Sequence, residues 1–184
     1  MPSSGRLRVI AGSVRGQVLK VPPGIEVRPT LDRVREALFS ILGPALEGAR
    51  FADLFAGSGA NGIEALSRGA AACTFIDGDP HAIASIRDNL TRTGLLSRAT
   101  VIRANLPGQL PTVLAGERFK FVFADPPYAL DVYREIVQSV AVSGALQPNG
   151  WLILEHATRR VLTSFETPGI RFRRTYRYGE SSLT

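Results

Sequence analysis

Apolar residues change period along this chain, and the changes mark its elements. Leu7, Val9 and Ala11, then Val18 and Val21, alternate around Gly12 and Gly16, which predicts a small N-terminal hairpin with its arginines outward. Pro22-Pro23-Gly24 ends it. Val34, Ala37, Leu38, Ile41 and Leu42 then recur at helical spacing up to the stop at Gly43-Pro44. From residue 50 short apolar runs alternate with helical stripes. Strands are expected at Phe51–Phe55, Cys73–Ile76, Thr100–Ile102, Phe119–Ala124 and Trp151–Leu154. Helices are expected around Ile63–Leu66, from Asp79-Pro80 to Gly94, and through Val132, Ile136, Val137 and Val140. Pro107, Gly108 and Pro111 leave 106–118 without a period. Strands spaced by helices imply an α/β fold with a doubly wound, mostly parallel sheet.

At 184 residues the expectation is one domain, a basic hairpin extension over 1–27 on a Rossmann-like core over 28–184. No apolar run is long enough to span a bilayer, the N-terminus has no secretory pattern, and Cys73 is the single cysteine. A soluble, cytoplasmic, monomeric protein without disulfides or a metal site is the resulting expectation. Charge changes the picture more. The net charge is +6, and 20 of the 22 cations are arginine. Arg6, Arg8, Arg15, Lys20, Arg28, Arg33 and Arg35 face only Glu26 and Asp32 at one end; Arg159, Arg160, Arg171, Arg173, Arg174 and Arg177 face only Glu166 at the other. Two basic flanks around a net-acidic middle fit a polyanion-binding rim, though a solvated surface gives the same count. As RNA contacts the candidates are Arg6, Arg8, Arg15, Lys20, Arg171, Arg173 and Arg174.

Two constellations carry chemistry. Asp53-Leu54-Phe55-Ala56-Gly57-Ser58-Gly59-Ala60-Asn61-Gly62 sets a GxGxxG loop between a predicted strand and a predicted helix. Asp77 ends the next strand, where an acid can bind both ribose hydroxyls. Together these indicate a nucleoside cofactor, either NAD or S-adenosylmethionine. Asp53 separates the two, because a carboxylate there repels a pyrophosphate and holds the cationic amino group of a methionine moiety. The second constellation is Asp125-Pro126-Pro127-Tyr128, directly after the Phe119–Ala124 strand. Its two prolines fix an extended turn and remove two donors. That leaves the Asp125 carboxylate and the Pro126 carbonyl as acceptors for the two hydrogens of an amine on a planar base, with the Tyr128 ring to stack on it. Stacking needs the ring of Tyr128, not its hydroxyl.

The tetrapeptide resembles the amino-methyltransferase signature of Asp or Asn, Pro-Pro, then an aromatic. Arg8-Val9-Ile10-Ala11-Gly12, Arg15-Gly16, Arg28-Pro29-Thr30 and Asp32-Arg33-Val34-Arg35-Glu36-Ala37-Leu38-Phe39 extend the resemblance. So do Glu64-Ala65-Leu66-Ser67-Arg68-Gly69-Ala70 and Tyr178-Gly179. Over residues 8–183 the chain is similar to the bacterial small-subunit ribosomal RNA guanine-N2 methyltransferases, a class I S-adenosylmethionine-dependent family. The resemblance implies a seven-stranded sheet with a late antiparallel hairpin, here residues 160–183. It implies catalytic Asp125, Pro126 and Tyr128, and cofactor contacts from Thr30, Asp53, Gly57, Gly59, Asp77 and Asn105. Its expected partner is ribosomal RNA, within an assembled or partly assembled small subunit. An adenine-N6 methyltransferase uses the same tetrapeptide and stays open, as do a nicotinamide-dependent oxidoreductase and a non-catalytic RNA-binding module. His81, His156, Cys73 and Ser58 lack the neighbours that metal or nucleophile chemistry needs and read as structural; Glu155 ends a strand and reads as structural or as lying near the site mouth.

Overall fold

The computed structural model describes residues 6–23, 29–162 and 167–184, with the side chains of residues 29–31 outside the description. Residue 28 and the 24–27 end of the hairpin extension therefore lie outside it. Seven strands form one sheet: β1 (Arg50–Leu54), β2 (Ala72–Asp77), β3 (Ala99–Arg103), β4 (Phe119–Ala124), β5 (Leu146–Ala157), β6 (Tyr176–Tyr178) and β7 (Ser181–Leu183). Their order is β3-β2-β1-β4-β5-β7-β6. The first five run parallel, and β7 pairs antiparallel with both β5 and β6. The parallel run of β1 to β5 is what the strand–helix alternation implied, and the seven strands with a late antiparallel hairpin are what the family resemblance implied. The late hairpin is confined to 176–183, turning at Gly179-Glu180.

Period-2 alternation along the strands splits the core between two faces. Phe51, Phe75, Phe121, Phe123 and Ile153 pack with helices α1 (Pro29–Leu42), α2 (Ala60–Ser67) and α3 (Pro80–Thr93). Ala52, Leu54, Ile76, Val122 and Leu154 face the other way, toward α4 (Leu110–Val113) and α5 (Tyr133–Ser143). Asp79 caps α3 by accepting the His81 N–H at 2.9 Å, and Gly94 ends it in the left-handed region, as Asp79-Pro80 and Gly94 foretold. The aperiodic 106–118 segment resolves into a cis Leu106–Pro107 bond and the short α4. Strand β5 starts earlier than its apolar run: Phe119 pairs with Leu146 but Phe121 with Trp151, so Gln147–Gly150 bulges out. Pro148, Asn149 and Gly150 had hidden that extension.

The N-terminal residues do form a hairpin, closed by an Arg8–Val18 bridge. Leu7, Val9 and Leu19 are buried in the α1–α3 core while Arg6, Arg8 and Arg15 are exposed. Glu64 of α2 holds it, accepting the N–H groups of Ile10 at 2.7 Å and Ala11 at 2.9 Å. Glu64 is fully buried and also takes Arg68 Nε at 2.6 Å. Asn89 of α3 bonds both the N–H and the carbonyl of Lys20, and its amide donates to the Ser58 carbonyl at 2.9 Å. The hairpin and the glycine loop thus share one side chain. Among the described residues no helix is long and apolar enough to cross a membrane.

Candidate active site

Sheet register gathers the site. Leu54 is level with Ile76 and Ala124, and Ala124 with Leu154. Asp77, Phe55, Asp125 and Glu155 are each the next residue, so they form one row across the carboxyl ends of β2, β1, β4 and β5. Neighbouring strands in such a row are about 4.8 Å apart. By alternation Asp53, Asp77, Asp125 and Glu155 all face the α1–α3 side, as Phe51, Phe75, Phe123 and Ile153 do. This carboxyl-end crevice is where open parallel sheets bind ligands.

The glycine loop leaves β1 through Phe55, whose φ of 58° is unusual for a bulky residue. Gly57 and Gly59 follow in the left-handed region, at 55° and 78°. Gly62, the third glycine, has a packing role: a Cβ there would meet the Phe75 ring at 2.2 Å and Cys73 Sγ at 2.7 Å. Asp53 Oδ2 accepts the Gly62 N–H at 2.8 Å, which anchors the first turn of α2 to β1. Cys73 is a buried small hydrophobe, its thiol pushed up by burial.

Asp77 does more than its spacing implied. One oxygen accepts the Gly57 N–H at 2.8 Å and the other the Asp79 N–H at 2.9 Å, so it sets the glycine loop against the β2 end. Asn105 is exposed beyond β3, its N–H donating to Gln109 Oε1 at 2.6 Å. Its Oδ1 lies 3.6 Å from where a Cβ on Gly78 would stand, so Gly78 lets the β2–α3 and β3–α4 loops approach. Thr30 lies in the first turn of α1, and its side chain is outside the described residues.

Asp125 continues the β4 register, its N–H donating to the Leu54 carbonyl at 3.4 Å. Pro126 is buried; Pro127 and Tyr128 are exposed, and the Pro127 carbonyl accepts the Leu130 N–H at 2.9 Å. Burial and the charges of Glu155 and Asp53 push Asp125 well above the usual carboxylate range. Burial, opposed by the Gly62 N–H and helped by Asp77, pushes Asp53 up to about 8. Burial pushes Glu155 up to about 7. Among the described residues, Asp53 Oδ1 and Glu155 Oε1 are buried without a hydrogen-bond partner. The unpartnered Asp53 Oδ1, with Asp125 raised by burial and by the charges of Glu155 and Asp53, fits a cationic ligand beside the glycine loop.

One pH effect follows. Between the ordinary aspartate value of 3.8 and about 8, folded Asp53 keeps a proton that the unfolded chain has lost. Ligand-free stability should therefore fall as pH rises through that window. Asp53→Asn, which still offers an oxygen to Gly62, should flatten the fall; an equally steep pH dependence of the thermal midpoint in the variant would remove Asp53 as its cause.

The basic candidates divide. Lys20 is exposed but ion-paired with Asp88. Arg35, one of the flank's cations by count, is buried: it donates to the Arg8 carbonyl and Asp32 Oδ1, each at 2.8 Å, and lies 3.9 Å from Glu64. Arg171, Arg173 and Arg174 are exposed on the segment leading into β6. The Arg173 guanidinium lies 4.5 Å from the centre of the Trp151 ring and that of Arg174 lies 5.7 Å from Tyr176. Trp151 is four residues below Glu155 on β5, so this flank runs down the side of the sheet rather than around the crevice.

The family model described as conserved hypothetical protein 95 matches residues 7–184. The ribosomal RNA small subunit methyltransferase D of Escherichia coli K12 is 40% identical over 149 residues, covering 81% of this chain and 71% of the relative. The chain belongs to this family. Its curated relatives are named methyltransferases. A solved hypothetical protein of Thermus thermophilus is 36% identical with a TM-score of 0.79, covering 96% of each chain. A precorrin-6y C5,15-methyltransferase of Geobacter metallireducens, at 22% identity and TM-score 0.60 over 76% of this chain and 69% of its own, shares the fold.

Sequence reasoning passed over four residues that hold the site in place. Glu64, Ser67 and Asn89 dock the hairpin, and Ser181 reaches Tyr128. Only Glu64 and Ser67 stood in a quoted motif, without a role.

Proposed function

We propose that the protein transfers a methyl group from S-adenosylmethionine to the exocyclic N2 amine of a guanine in small-subunit ribosomal RNA. The observation that carries this reading is the strand-end row, which sets the Asp125-Pro126-Pro127-Tyr128 turn one strand from the glycine loop. The relatives named for ribosomal RNA small subunit methylation support the RNA class. In this reading the loop residues Gly57 and Gly59 admit the cofactor backbone-close, Asp77 takes the ribose, and Asn105 lies at the adenine end. Asp53 and, by resemblance, Thr30 lie toward the methionine end.

The bound cofactor supplies a methyl group activated on a positively charged sulfur. Asp125 and the Pro126 carbonyl accept the two amine hydrogens and turn the nitrogen lone pair toward that methyl. Tyr128 stacks on the base, an interaction worth about 1–3 kcal/mol. Aligning two bound reactants removes about 7–11 kcal/mol of the barrier, so no strong base is needed beforehand. As the carbon–nitrogen bond forms and the carbon–sulfur bond breaks, nitrogen becomes cationic. It then gives a proton to Asp125 or to water. Because N2 is engaged in a G·C pair, the target is an unpaired or flipped-out nucleotide. The hairpin arginines Arg6, Arg8 and Arg15, with Lys20 and the Arg171, Arg173 and Arg174 segment, bind phosphates of the assembled or partly assembled subunit.

Labelled S-adenosylmethionine and ribosomal subunits lacking the modification test the reading. Labelled N2-methylguanine is the expected product; N6-methyladenine would replace the base assignment, and no transfer to any RNA would overturn the reading. In the same assay, neutralising Arg6, Arg8 and Arg15 together should raise KM for RNA and reduce the salt dependence of binding, by a log–log slope of about 0.7 per lost single-strand contact. An unchanged slope and KM would leave those arginines as ordinary solvated surface.

A further inference from the structure

Glu155 takes no part in the cofactor and amine contacts proposed above. It is 4% exposed, and its Oε1 is buried without a partner among the described residues. Yet it stands one strand from Asp125 in the row, on the same face, which is a costly place for a carboxylate that does nothing. Its hydrogen-bond partner is Ser181, the first residue of β7. Ser181 is itself buried, and its Oγ lies 2.8 Å from the hydroxyl of Tyr128. A serine hydroxyl carries one hydrogen. When Glu155 is ionised and accepts it, Tyr128 is the donor to Ser181. In that state the chain runs from Tyr128 to Ser181 to Glu155.

We propose that Glu155 and Ser181 are positioning residues for methyl transfer, holding the Tyr128 ring through its hydroxyl in the plane that stacks the target base beside Asp125. Tyr128 has to be held for this task, because stacking depends on the orientation of its ring. It is 41% exposed, on a turn whose next two residues are also exposed. A stacking platform free to rotate loses part of the alignment on which in-line transfer depends. The hydroxyl, idle when only stacking is considered, becomes the point of attachment. The β6–β7 hairpin gains a function as well: β7 carries the serine to the strand-end row, pairing Ser181 with Ala157 two residues beyond Glu155. His156, between them, faces the opposite side, where its Nε2 meets Thr184 Oγ1 at 2.8 Å. It takes no part.

The inference rests on the amine-methyltransferase reading, and wild-type protein separates the two. If wild type transfers no methyl group to RNA, that reading fails first. With transfer established, Tyr128→Phe, Ser181→Ala and the double variant are compared in kcat, KM and thermal midpoint. Each single change should lower kcat by about 3- to 10-fold, the worth of one hydrogen bond, with KM for S-adenosylmethionine unchanged. The double variant should match either single one, since one chain is broken once. Multiplying losses, or a Tyr128→Phe protein with wild-type kcat, would overturn the proposal. Glu155→Gln keeps an acceptor for Ser181 and should stay near wild type, while Glu155→Leu should fall to the Ser181→Ala level; equal losses in both would remove Glu155 from the chain. Should Ser181→Ala fold poorly, Tyr128→Phe decides alone, because an exposed ring losing one oxygen leaves the core intact.

Discussion

Asp125→Ala is expected to lower methyl transfer by about 10²–10³-fold in kcat while affinity for S-adenosylmethionine stays within a few-fold. The reasoning starts from placement. Asp125 lies just past the end of β4, where the proposed reading puts the incoming amine, whereas Asp53 and Asp77 bracket the glycine loop at β1 and β2. Removing it deletes the acceptor that orients the nitrogen and the negative charge that steadies the cationic nitrogen after transfer. The cofactor keeps both acids nearest its loop. Asp125→Asn, which still presents an oxygen, should lie between the two. Single-turnover transfer from labelled cofactor gives the rate and calorimetry the affinity. A near-wild-type rate on RNA would sink the assignment, and a collapse of cofactor binding would reassign Asp125 to the cofactor.

The second large effect concerns stability. Glu64→Ala should cost about 3–5 kcal/mol, the penalty for breaking a buried ion pair from one side. The carboxylate serves four groups at once: the N–H groups of Ile10 and Ala11, Arg68 Nε, and the buried guanidinium of Arg35. Without it two backbone donors and two cations lose their acceptor, and Arg35 has Asp32 and the Arg8 carbonyl left. Urea unfolding should show a lower midpoint at unchanged slope, and proteolysis should cut the hairpin first. A loss below about 1 kcal/mol, within the range of one ordinary hydrogen bond, would mean that Leu7, Val9 and Leu19 hold the hairpin by burial alone.

What the sequence made legible was local. The β1–α2 glycine loop, the Asp79-Pro80 start of α3 and the strand before Asp125 each announce themselves within a few residues, because caps, turns and periods are short-range. The parallel order of β1 to β5 follows from alternation with helices. The hidden part is what depends on distant pairing. Nothing near Ser181 in the chain marks it as a neighbour of Tyr128; only the β5–β7 register brings them together. Glu64 reads as one more helix-surface acid until the hairpin docks on it. Charge counting misled for the same reason. Arg35 counts with the basic flank but is spent inside the protein. The resemblance placed the late hairpin correctly in order but over too long a span, since 171–175 leads in without strand pairing.

The strand-end row also works as a ruler. Asp77 and Asp125 stand two hydrogen-bonded spacings apart, about 10 Å, with Phe55 between them, and no side-chain substitution alters that interval because backbone pairing sets it. A compound built to join a cofactor-like half to a base-like half must match this length with its linker. Across proteins that share the sheet the same linker should serve, so selectivity for this protein has to be sought off the ruler. The places for it are the hairpin that Glu64 and Asn89 fix beside the loop, and the arginine-bearing edge that runs past Trp151.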